Sequence, residues 1–156
     1  MLCSELLAAF LAERPLGNIL TDEQIERHLK HAIRLYCAYA TLTNAPSEFE
    51  LAQADAIAEG LPPPLFAEPG QDVHSPIDAS NKLVAEQDFD LTPSEYGLIW
   101  PLFKLYVERE DATGQESSRS LGIEQYGRSS SEIEAAITVY EETLPRRAFV
   151  EDVITI

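Results

Sequence analysis

Apolar residues recur every three or four positions in five stretches of the chain, which is the spacing of amphipathic α-helices that bury one face. The clearest stretch follows Thr21, which can cap a helix while Gln24, three residues later, completes a capping box. Its apolar stripe consists of Ile25, Leu29, Ala32, Ile33, Tyr36 and Ala40. We therefore predict a mainly α fold, built as a small helical bundle.

Capping residues, prolines and glycines give the bounds of the five predicted helices. The first covers Ser4–Glu13, the second runs from Thr21 to Ala40, and the third follows Ser47 through about Glu59. The fourth runs from Thr92 to about Ser120, and the last runs from Ser129 to Leu144, where Pro145 is expected to end it.

The third and fourth helices differ in how much apolar surface they carry. The third is expected to turn Phe49, Ala52, Ala56 and Ile57 towards the core. In the fourth, the run from Tyr96 to Val107 is apolar nearly all round, which indicates burial on several sides, in a core or between subunits. Pro101 lies inside this run and is expected to kink the helix near Gly97.

Two segments lack helical spacing. Residues 60–91 contain five prolines between positions 62 and 76, and we predict a long loop there. It is a surface connector or an arm that reaches a neighbour. Residues 146–156 predict an extended, β-prone C-terminal tail, which lies on its own domain or adds a strand to another protein. The predicted organisation is a helical domain at 1–145, which includes the loop, and a tail at 146–156.

The chain is strongly acidic, with a net charge of −16. Residues 46–100 carry eleven acids and one base, Lys82. This charge argues against nucleic-acid binding, which needs clustered Lys and Arg. It keeps the chain soluble or attracts a basic partner. We expect a soluble, intracellular protein, because no basic leading segment and no apolar stretch of about 20 residues is present.

Candidate chemical residues do not combine into a catalytic or metal site. His28 and His31 share a helix face but lack an acidic partner at metal-site spacing, so we expect them to be isolated and solvent-facing. Asp88 and Asp90 lack the glycine and distal glutamate of a calcium loop. Cys37 falls on an apolar stripe and is expected to be a buried small side chain. We therefore expect no enzyme activity and no cofactor.

The predicted helices at Thr21–Ala40, Thr92–Ser120 and Ser129–Leu144, the long loop and the apolar tail Arg146–Ile156 together resemble the head–tail connector (adaptor) proteins of tailed bacteriophages. The resemblance is architectural, covers most of the chain and rests on no short motif. It implies a structural virion protein, made in the host cytoplasm. About twelve copies would form a ring in the neck, between the portal protein and the tail proteins. DNA would pass through this ring without specific binding, and no membrane would be involved.

The resemblance also implies three sets of site residues. Portal binding would use the tail residues Arg146, Arg147, Phe149, Val150, Val153, Ile154 and Ile156. The subunit interface would use the basic residues Arg27, Lys30 and Arg34 of the second helix, with Leu65 and Phe66 of the loop. The channel would be lined by Glu108, Glu110, Asp111 and Glu116 on the polar end of the fourth helix.

Two other classes of protein remain open. The charge of −16 is also typical of an acidic inhibitor that mimics DNA and occupies a nucleic-acid-binding protein. Such a mimic would carry its carboxylates in regular rows, whereas here they are concentrated in the loop-rich middle of the chain. An enzyme of unrecognised type would require a polar pocket.

Overall fold

The computed structural model describes residues 1–15, 17–66, 89–118 and 127–148. Five helices lie in these ranges: α1 (Cys3–Ala12), α2 (Asp22–Cys37), α3 (Glu48–Ala58), α4 (Pro93–Ser118) and α5 (Ser130–Ala148). The same ranges contain no β-strand, only an isolated antiparallel bridge between Leu2 and Asp90. The prediction of a mainly α fold is therefore confirmed.

Helix α4 is the centre of the molecule, because it packs extensively against both α2 and α5, which do not pack on each other to a similar extent. Its residues Ile99, Leu102 and Phe103 are fully buried. A helix covered on two faces needs apolar residues on both. The packing of α4 against both α2 and α5 therefore explains why Tyr96–Val107 is apolar nearly all round.

Capping boxes begin the helices where the sequence predicts them. Thr21 accepts a hydrogen bond from the backbone N–H of Gln24, whose side chain accepts one from the N–H of Thr21. Ser47 and Ser129 make the same reciprocal bonds with the glutamate three residues later. These bonds satisfy backbone donors that a helix N-terminus otherwise leaves unpaired.

Backbone hydrogen bonds hold the beginning of α1 beside the segment that leads into α4. The backbone N–H of Cys3 donates to the carbonyl of Phe89, and that of Leu91 donates to the carbonyl of Met1. Further along α1, the ring of Phe10 lies edge-on to those of Trp100 and Phe103, with centroids 5.9 and 5.0 Å away. Such edge-to-face contacts add to the stabilisation from burial alone.

The predicted end of the last helix is wrong. Helix α5 continues through Pro145 to Ala148, so Arg146 and Arg147 belong to its last turn rather than to an extended tail. Pro145 removes only one backbone hydrogen bond, close to the helix end. Leu144 and Ala148 on either side of it are buried, and this packing outweighs the loss.

The predicted inward face of α3 is wrong for Ala52 and Ile57, whereas Phe49 and Ala56 are half-buried. None of its described side chains is buried, Ala52 is exposed, and Ile57 is 65% exposed. Among the described helices, none packs extensively against α3. The capping signal at Ser47 correctly predicts that a helix begins there, but it carries no information about which face meets the core.

Candidate interaction surface

Helix α3 and the residues after it form a hairpin on the surface. Gly60 follows the helix with φ of 72°, the left-handed conformation that favours glycine. The backbone N–H of Leu61 then donates to the carbonyl of Ala56. The side-chain amide of Gln53 donates to the carbonyl of Pro64 at 2.9 Å. The segment after Gly60 therefore returns along α3.

Four large apolar side chains are exposed on this hairpin. Gln53 and Ile57, four residues apart, share a face of α3, and the bond from Gln53 to Pro64 brings the next residues to that face. We call Ile57, Leu61, Leu65 and Phe66, which are 65%, 55%, 81% and 86% exposed, the α3 patch. Exposed apolar side chains are common singly, but a group rimmed by charges marks an interaction site.

Helix α3 also carries acidic residues. Glu50 falls on the same helix face as Gln53 and Ile57, whereas Asp55 and Glu59 are exposed on the opposite face. No lysine or arginine occurs between positions 48 and 66. Of the predicted subunit-interface residues, Leu65 and Phe66 lie in this patch. Ile57 was not predicted to be exposed, because its helical spacing is that of a core position.

The other predicted interface residues, Arg27, Lys30 and Arg34, lie along one face of α2, which we call the α2 basic face. Arg27 donates to both carboxylate oxygens of Glu110, at 3.0 and 3.1 Å. The ammonium of Lys30 lies 2.7 Å from Glu26. Ion pairs this exposed contribute little to stability, so these bases can exchange partners at small cost.

The four predicted channel-lining acids each have a partner within the chain. Asp111 accepts a hydrogen bond from the backbone N–H of Ile19 at 2.8 Å. Glu116 accepts from the backbone N–H and hydroxyl of Ser130 and so caps α5. Glu110 pairs with Arg27, while Glu108 is exposed with Arg128 at 3.5 Å. That these acids line a channel stays a prediction.

His28 corrects the prediction of solvent-facing histidines. It is buried, and its Nε2 hydrogen-bonds to Glu110 across the contact between α2 and α4. Burial lowers the pKa of His28, against the opposing effect of Glu110. Burial alone would raise the pKa of Glu110, but hydrogen bonds from His28 and Arg27 lower it overall. His28 falls inside the apolar stripe between Ile25 and Ala32, and this position was the available signal.

His31 is exposed in part, as predicted, but its ring centroid lies 4.8 Å from that of Tyr106. Packing against the protein lowers its pKa, and the nearby charge of Arg34 lowers it further. Both histidines therefore favour the neutral form in the folded chain. They lie at the α2–α4 contact as structural side chains.

Of the predicted portal-binding residues, Arg146 and Arg147 are exposed in the last turn of α5. The Arg147 guanidinium lies 5.4 Å from the ring centroid of Tyr140, a cation–π distance. The remaining members of that set, Phe149, Val150, Val153, Ile154 and Ile156, lie outside the described residues.

The part of the chain that the structure describes offers no group of three or more His, Cys, Asp or Glu side chains that could hold a metal ion. Cys3 and Cys37 are not joined in a disulfide, and burial raises the pKa of Cys37 to about 12. No helix in the described ranges is long and apolar enough to span a membrane. Comparisons with protein-family models, curated proteins and solved structures found no match to this chain.

Proposed function

We propose that this chain is a structural assembly protein that forms a ring between the portal and the tail of a tailed bacteriophage. The α3 patch is the observation that carries the proposal of assembly. Leu65 and Phe66 are more than four-fifths exposed in a body whose other helices pack on one another. Exposure of two such side chains in one place is relieved when a partner covers them.

Attachment to the portal is assigned to the residues that follow α5. Helix α5 continues to Ala148, and the sequence that follows it, from Phe149 to Ile156, contains five apolar residues. A short segment with apolar residues on both faces suits addition as a strand to a sheet edge or packing in a groove. No chemical step is required of such a protein.

The charge of the chain fits a DNA channel. With 27 acids against 11 bases, a ring of copies would repel the phosphate backbone, so DNA could slide without adhering. Glu108 is the predicted channel residue whose carboxylate is exposed. The same charge favours the alternative of a DNA-mimicking inhibitor, which would bind a basic DNA-binding protein instead.

The test of attachment is a truncation after Ala148. This cut keeps α5 whole, whereas a cut after Pro145 removes the buried Ala148 and part of the last turn. We expect the truncated chain to keep its helical circular dichroism and its midpoint of unfolding, and to lose co-sedimentation with a purified portal ring. Val139→Ser, at an exposed apolar position on α5, is the control that should leave attachment intact.

Three outcomes would count against this proposal. Unfolding of the truncated chain would assign the C-terminal residues to its own core. Full retention of portal binding would exclude them from attachment. Binding of the intact chain to a basic DNA-binding protein, in competition with DNA and without any affinity for a portal ring, would favour the mimic.

A further inference from the structure

We draw no further inference here: the strongest candidate, the α3 patch on the surface hairpin, is an exposed apolar face, and nothing in the described part of the chain shows what covers it.

Discussion

Two carboxylates, Glu95 and Glu110, join segments of this protein that are far apart in the sequence. Glu95 is buried, and its oxygens accept hydrogen bonds from the backbone N–H and hydroxyl of Thr43 and from the backbone N–H of Thr92. Burial opposes its charge, but these bonds lower its pKa overall. A buried carboxylate with this many donors is a structural link rather than a catalytic acid.

The first prediction compares Glu95 with Glu132, because both occupy the third position of a capping box and only Glu95 is buried. Glu95→Ala should lower the free energy of unfolding by about 1.5–3 kcal/mol, since it removes the buried charged acceptor that Thr43 and Thr92 share. Glu132→Ala, whose donors face water, should cost about 1 kcal/mol or less. Urea denaturation measures both, and equal costs would mean that Thr43 finds another acceptor.

The second prediction concerns pH. The folded-state pKa values of His28 and His31 lie below the ordinary value of 6.5, so the unfolded chain takes up protons first as the pH falls. The contribution of these histidines to stability is therefore fully present above pH 6.5 and is lost as the pH falls below it. The lowered pKa values of Glu95 and Glu110 act in the same direction below their ordinary value of 4.5.

Urea midpoints measured between about pH 7.5 and about pH 5.5 should thus decrease with falling pH. Replacing His28 and His31 together by glutamine should reduce this decrease, because the neutral amide does not titrate. Arg27 and Arg109 lie close to His28 and keep their charge over this pH range, so their effect on the pKa of His28 is constant. A midpoint that rises on acidification would show that the charged pair of His28 and Glu110 dominates instead.

At the scale of elements, the sequence predicted the helices well and their packing less well. The capping residues Thr21, Ser47 and Ser129 are local signals, read within four residues, and the structure confirms all three. The exposure of α3 and the continuation of α5 through Pro145 depend on contacts with other parts of the chain. Local spacing does not encode such contacts, so both predictions failed.

The candidate interaction surface was likewise predictable only in part. Leu65 and Phe66 were expected at an interface because they are apolar residues in a proline-rich segment, and they are exposed. Ile57 could not be predicted, because its spacing is that of a core residue and its exposure depends on which helix face stays uncovered. The burial of Glu95 depends on Thr43, 52 residues away, for which the sequence offers no signal.

The third prediction uses two glycines inside α4. A Cβ at Gly97 would meet nothing within 4 Å, so Gly97→Ala should stabilise the protein by about 0.5–1 kcal/mol through better helix propensity. A Cβ at Gly114 would lie 2.5 Å from Cδ1 of Ile19, so Gly114→Ala must displace this exposed side chain. We expect a smaller gain or none. Thermal unfolding distinguishes them, and an equal gain would mean that Ile19 moves at no cost.

For the whole molecule, the excess of acids is larger than its ion pairs can offset. The described bases are largely engaged already, as in the contacts of Arg27 with Glu110 and of Arg109 with Glu134. A net charge of −16 on a chain of this size therefore repels itself when the chain is compact. In the proposed ring, this repulsion would make the copies depend on a specific attractive contact in order to approach one another.

The fourth prediction follows from that imbalance. Raising NaCl from about 0.05 M to about 0.5 M shortens the screening length severalfold, which weakens the long-range repulsion among carboxylates more than the close ion pairs. The urea midpoint should therefore rise. The corresponding increase in the free energy of unfolding should be roughly 1 kcal/mol. KCl should act like NaCl if screening is the cause. A fall in the midpoint would mean that the ion pairs dominate.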